Sequence, residues 1–353
     1  MADNDRPSQD RPEEPGSERE ELAPLIGQAD PGSAQPRDAD PDSEYSVEKQ
    51  INLDEKSYSQ SQLVRRRFFR HKGAMISLGA LIGIIIMAYT SIGFAGIPGW
   101  WGKSYLSSST VVNGGSPTLS VYPPSWGESP FGQETTGKDY FALTMRGTQQ
   151  SLIVAFAVGI GSTLIGTLVG AFAGFYRGWI EAILMRMTDV FIVIPLLILA
   201  AVVAKGLGGG IWAMSFTLSV LVWTGLARLV RGEVLSLRER EFVTAAEAIG
   251  TSSLRIIFKH ILPNTIGTII VSATLTIATA ILLETALSFL GYGINAPDSS
   301  LGLLISTYQT AFLSRPWLFW WPGMMILGIA LSVNFLGDGL RDAFDPRQNR
   351  SAD

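Results

Sequence analysis

The chain has 353 residues, of which 47% are hydrophobic and only 16% charged, well below the roughly 25% charge of soluble domains. It has no cysteine, which excludes disulfides and thiolate chemistry, and its two histidines, His71 and His260, stand too far apart for a local metal motif. The net charge of −4 hides an asymmetry: residues 1–60 hold 16 acidic and 6 basic side chains, leaving 15 acidic and 21 basic for the remainder.

Residues 1–60 are rich in Pro, Asp, Glu, Ser and Gln and lack apolar periodicity. Such a segment cannot bury enough surface to offset its ordering entropy, so a disordered acidic tail is expected. A basic cluster follows: Arg65, Arg66, Arg67, Arg70 and Lys72. It abuts the uncharged run 73–102, which makes it a membrane-flanking anchor rather than a nucleic-acid patch. That run is too long, and lies too far into the chain, for a cleaved signal peptide.

A helix crosses a bilayer with about 20 mostly apolar residues. The uncharged stretches 73–102, 147–176, 206–227, 264–283 and 316–337 meet that length. A sixth, 187–205, is interrupted by Asp189 and keeps an apolar core from Val190 to Ala204. Lipid offers no partner to a bare backbone, so all six are expected to be helices. This divides the chain into a tail (1–60), an anchor with the first span (61–102), an extracytoplasmic segment (103–146), a five-span core (147–340) and a C-terminal tail (341–353). Gly166, Gly170 and Gly174 recur every four residues, as do Gly79 and Gly83; such stripes let helix backbones approach closely inside a membrane.

Orientation follows from Lys and Arg. With the N-terminus inside, the inner segments 61–72, 176–186, 228–263 and 339–353 carry sixteen basic residues. The outer segments carry five: Lys103, Lys138, Arg146, Lys205 and Arg315. Both termini are therefore expected in the cytoplasm of a multi-pass protein of the cell membrane.

The segment from Arg228 to Pro263 is the only long inner loop between spans. It reads as two short amphipathic helices hinged at Gly250, whose backbone is permissive. The first holds Phe242, Ala245, Ala246 and Ile249 at helical spacing; the second holds Leu254, Ile257, Phe258 and Ile261. Pro263 ends the second helix or opens the next span.

Here the sequence resembles the permeases of binding-protein-dependent importers. Their cytoplasmic signature is Glu-Ala-Ala, three residues, Gly, nine residues, Ile, any residue, Leu-Pro. This chain has Thr244-Ala245-Ala246, then Gly250, then Leu262-Pro263 at the same spacing, with Thr244 in place of the glutamate and His260 in place of the isoleucine. Pro130-Phe131-Gly132 with Gly137-Lys138-Asp139, the run Glu284 to Gly291, and Gly337 to Asp342 with Asp345-Pro346-Arg347 are similar to segments of the oligopeptide, dipeptide and nickel permeases. The resemblance, spanning about residues 60–348, points to the C-type subunit. It implies an all-α type I ABC importer permease fold of six transmembrane helices with a cytoplasmic coupling loop.

The resemblance also implies the assembly: a second permease subunit, two nucleotide-binding ATPase subunits, and an extracytoplasmic substrate-binding protein. The chain itself is expected to bind no cofactor and hydrolyse nothing, with ATP and Mg used by the ATPases. Its nearest phosphate-loop string, Gly102-Lys103-Ser104, has Ile97 where the first glycine belongs. Coupling is expected to run through Thr244, Ala245, Ala246, Gly250, Leu254, Ile257, His260, Leu262 and Pro263. Ionisable groups inside spans are costly and often functional, so Asp189 and Glu284, with Asn334 as a polar neighbour, are candidates for the pathway or a subunit interface. Asp189 reads more simply as an i,i+3 pair with Arg186, whereas Glu284 either lines the cavity or pairs with the partner subunit. Peptides are the expected cargo, with nickel or another small solute as the alternative. An ion channel would call for a filter loop or charged pore residues, and an intramembrane enzyme for a catalytic cluster; the sequence presents neither.

Overall fold

A computed structural model describes residues 60–120 and 124–345. The expected acidic tail and residues 346–353 lie outside the described residues. Helix α1 (Gln60–Arg70) leads into α2 (Lys72–Ser91), and the break falls at His71, whose Nδ1 accepts the Ala74 N–H at 3.0 Å as an N-cap. The expected first span, 73–102, stops at Ser91. Beyond it, β1 (Gly93–Phe94) and β2 (Ile97–Pro98) form a small hairpin with Gly93 opposite Pro98. Its two turn residues, Ala95 and Gly96, both have positive φ, as a tight hairpin turn requires.

Helix α3 (Tyr140–Tyr176) has 37 residues and is capped by Asp139, whose Oδ1 accepts the Ala142 N–H at 2.9 Å. It begins seven residues before the expected span, because Arg146 is neutralised by Asp298, 2.6 Å away. Helices α4 (Gly178–Val193) and α5 (Leu196–Gly206) replace the expected single span 187–205 and meet at 93°. Pro195 causes the break: it lacks an N–H, its ring crowds the preceding turn, and it holds Ile194 extended. Gly208, Gly209 and Gly210 all have positive φ and separate α5 from α6 (Ile211–Val222). Helix α6 bends by 40° at Trp223 into α7 (Thr224–Arg238), which extends the expected span 206–227 well beyond Ala227.

After α8 (Glu241–Ala248) come α9 (Ser253–Ile256), a π turn (Ile257–Ile261) and α10 (Leu262–Phe289). These last three form one helix of 37 residues. The expected separate second loop helix therefore runs on as the foot of the fifth span, with Pro263 in the first turn of α10. The π turn explains why: Leu262 N–H reaches back five residues to Ile257 C=O, a widened turn that relieves the clash a proline makes with the carbonyl four residues earlier. Helices α11 (Leu301–Tyr308) and α12 (Trp317–Phe344) are the last among the described residues.

Among the described residues four helices are long and apolar enough to cross a membrane, or up to six if each bent pair counts as one span. Helix α3 lies at the centre, packed along α6, α7 and α10, while α12 packs on α10 and α2. The glycine triple explains the tightest of these contacts. A Cβ at Gly166, Gly170 or Gly174 would stand 2.5 to 2.9 Å from backbone carbonyls of Trp223, Ala227 and Arg231, so α3 and α7 touch backbone to backbone. Gly79 and Gly83 face open space instead. One end of the bundle gathers α1, residues 177–189, residues 228–262 and the end of α12; it is called the basic end below. The opposite end holds residues 92–120, 124–139 and 291–316, closed by aromatic packing that includes a Phe131–Trp321 stack at 3.8 Å.

Candidate functional site

The segment 239–262 is held at the basic end by three kinds of contact. Val243, Ala246, Ile256, Ile257 and Ile261 are buried against Val230 and Val234 of α7 and Ala171 and Phe175 of α3. Arg238 Nη1 donates to the Phe175 carbonyl and its guanidinium stacks 5.3 Å from the Phe175 ring. Arg177 pairs with Glu239, and the Arg177 hydrogen bond, with its positive charge, holds the Glu239 carboxyl below its usual range.

The turn inside the segment is set by Gly250. Thr251 N–H bonds to Ala246 C=O at 3.0 Å, and Gly250 N–H to Glu247 C=O at 2.9 Å. This is a Schellman close of α8, with the glycine in the left-handed region at φ +77°. No atom lies within 4 Å of a Cβ built there, so the requirement for glycine is conformational, not steric.

The expected site residues fall on two faces. Ala246 and Ile257 point inward, while Thr244, Ala245, Gly250, Leu254 and Pro263 are exposed and His260 and Leu262 are half-buried. The shared face expected for Phe242, Ala245, Ala246 and Ile249 does not form: α8 buries Val243 and Ala246 and turns the other three outward. The result is an exposed apolar face of Phe242, Ile249, Leu254 and Phe258, with Ile249 83% exposed. Thr244 turns its hydroxyl back onto the Glu241 carbonyl at 2.9 Å, and His260 C=O accepts from Asn264 Nδ2 at 2.6 Å. Beside this face, α3 and α10 line an apolar groove of about 550 Å³ running from Leu164 and Leu168 to Phe258 and Ile266.

The polar candidates inside the spans are arranged otherwise than expected. Asp189 pairs with Arg228 of α7 at 2.6 Å rather than with Arg186. Eight residues earlier on α4, Glu181 Oε1 accepts from Arg231 Nε at 2.7 Å. These two pairs clamp α4 to α7, and both arginines and Glu181 escaped the sequence reading because the partners lie 39 and 50 positions apart. Glu284 is fully buried and accepts hydrogen bonds from Ser151 at 2.8 Å and Ser288 at 2.7 Å. It therefore presents no surface to a cavity or to another subunit. Asn334 sits half-buried on α12. Among the described residues no group of His, Cys, Asp and Glu could hold a metal.

The family model described as the binding-protein-dependent transport system inner membrane component matches residues 166–350. A second, the N-terminal transmembrane domain of oligopeptide transport permease C, matches residues 59–97. An oligopeptide transport system permease protein of Mycobacterium tuberculosis is 38% identical over 290 residues, covering 82% of this chain and 95% of the relative. A putative peptide permease of Brucella ovis is 44% identical over 226 residues, covering 64% of this chain and 74% of the relative. A solved chain of the inward-facing MetNI methionine ABC transporter matches at 21% identity and a TM-score of 0.48, over 57% of this chain and 96% of that one. With its signature segment presented at one end of a helical bundle, and with family matches over most of its length, the chain belongs to the binding-protein-dependent transport system inner membrane components, the permease subunits of ABC importers.

Proposed function

We propose that this permease serves an importer of oligopeptides or dipeptides, and that mechanical work enters it through the segment Glu241–Ile261. The basic end then faces the cytoplasm, with two ATPase subunits docked on it and hydrolysing ATP with Mg. A second permease completes the pathway, and an extracytoplasmic binding protein delivers cargo. Relatives matched over most of their length are named oligopeptide permeases, which supports the cargo class.

One observation carries the coupling reading: Phe242, Ile249, Leu254 and Phe258 are exposed on a segment whose other face is locked into α3 and α7. Such an apolar face on a rigidly held support suits a partner's cleft. The load is large, since moving a two-state equilibrium from 1:99 to 99:1 takes about 5.5 kcal/mol of differential binding. A segment continuous with a membrane-length helix can pass that load on; a slack loop cannot.

The test is Gly250→Val. A β-branched residue at this positive φ costs about 1–3 kcal/mol locally, enough to deform the turn while leaving the spans alone. The expected outcome is membrane insertion at the parental level, with ATPase co-purification and uptake each reduced at least about tenfold. Uptake at the parental rate would refute the coupling role. Binding measurements on the cognate binding protein, with di- to hexapeptides against nickel chelates, test the cargo separately.

A further inference from the structure

Among the described residues no cation stands beside Glu284, yet its surroundings are ordered in one direction. Leu301 N–H can only donate, and it donates to Ser151 Oγ at 3.3 Å, which leaves the Ser151 hydrogen for Glu284 Oε2. Ser300 Oγ caps α11 by accepting Leu303 N–H at 3.1 Å and lies 3.2 Å from Ser288 Oγ, to which it donates. Ser288 in turn donates to Glu284 Oε1. Both chains begin at the turn Ser300–Leu301 and end on one carboxyl group.

The backbone is built to permit this. A Cβ at Gly302 would lie 2.6 Å from Thr285 Cα and O, and one at Gly293 would lie 1.9 Å from Ser288 Oγ. Gly147 lets α3 approach Leu301 N to within 3.1 Å of its missing Cβ. Around this buried centre, Arg146 of α3 pairs with Asp298 at 2.6 Å, and Tyr308 Oη donates to Glu134 at 2.8 Å. The segment 298–308 is thus fastened at three places, to α3 through Arg146, to the loop before α3 through Glu134, and to α3 and α10 at the Glu284 centre, of which only the last is fully buried.

Glu284 also sits far along the helix that starts at the coupling segment. Leu254 and Glu284 belong to the same 37-residue helix, about 45 Å apart at 1.5 Å per residue. We infer that Glu284 is a positioning residue that latches segment 298–308 closed at the opposite end of the bundle, so that displacement of the coupling segment is read out there as opening. The inference rests on the importer reading above. Movement of one stiff helix would pull Glu284 away from Ser151, which belongs to α3, and free the turn.

The chain's lack of cysteine supplies the test. Ser299 is 5% exposed and its hydroxyl has no hydrogen-bond partner, so Ser299→Cys is a mild change that reports opening. The full transporter, with partner permease, ATPases and binding protein, is placed in proteoliposomes and labelled from outside with an impermeant maleimide, at rest and trapped with ATP and vanadate. We expect the parent to label about tenfold faster in one state than in the other. In Glu284→Gln, which puts a donor where only acceptors fit, that ratio should fall below about twofold, with Glu284→Asp intermediate. Ser151→Ala, which removes one of the two donors, should act in the same direction and decides the matter if Glu284→Gln does not assemble.

A brace that only stabilises the fold would lower the melting temperature and leave the state ratio intact, and that result overturns the latch. A parent indifferent to nucleotide overturns the importer reading and the latch together. A parent that responds while both variants respond equally overturns the latch alone.

Discussion

At the scale of single residues, close approach rather than chemistry sets the strictest demands. Gly170 stands where a Cβ would lie 2.5 Å from the Ala227 carbonyl and 2.8 Å from Val230 Cβ, both parts of α7 that cannot yield without moving the helix. Gly170→Leu should therefore separate α3 from α7 and destabilise the subunit by at least about 2–3 kcal/mol. A fall in detergent melting temperature with reduced membrane yield checks this. Gly79→Leu, facing open space, should leave both unchanged. The triple repeat makes Gly166, Gly170 and Gly174 the stronger candidate stripe and Gly79 with Gly83 the weaker; which neighbour the triple meets depends on α7, about sixty residues away, and spacing holds no record of it. Glu284 teaches the same lesson. As an ionisable residue in an apolar run it reads as facing a cavity or a partner subunit, yet Ser151, Ser288 and Ser300 enclose it.

At the scale of elements, the boundaries that composition misplaced have local causes. A charge-free window runs straight through Gly93, Gly96, Pro98 and Gly99, because it registers charge and ignores turn chemistry. Conversely, Arg146 bounds one window and Asp189 interrupts another although Asp298 and Arg228 neutralise them. The coupling signature, in contrast, was legible because its glycine and its spacing act within a single turn. The α4–α7 clamp allows a prediction of small effect. Asp189 and Arg228 are each nearly half exposed, and such pairs contribute about 0–1 kcal/mol. Arg228→Ala should thus shift the melting temperature only slightly, and less than loss of Arg231, whose partner Glu181 is 21% exposed. Paired melting curves of the two variants check the order.

At the scale of the whole molecule, the excess of sixteen basic residues over five predicts the sides of the membrane. The fold gathers the basic segments at one end, which supports the cytoplasmic placement of that end. Single cysteines test it: Ser107→Cys should react with an impermeant maleimide in intact cells, and Ser252→Cys only after permeabilisation. The reverse pattern would invert the topology and remove the coupling segment from the ATPases. The six-span count was legible in outline, but the 93° break at Pro195 is a three-dimensional fact that hydropathy averages away.

The π turn before Pro263 has a bearing on how this protein can change length. An α-helix advances about 100° per residue, so dropping one residue between Leu254 and Glu284 would swing the Phe242–Leu254 patch about a quarter-turn out of phase with the serine-lined carboxylate. The widened turn at Ile257–Ile261 is the one spot in the described helix where an extra residue is already accommodated. Insertions and deletions should be absorbed there or excluded, which makes those five residues the register mark of the whole rod.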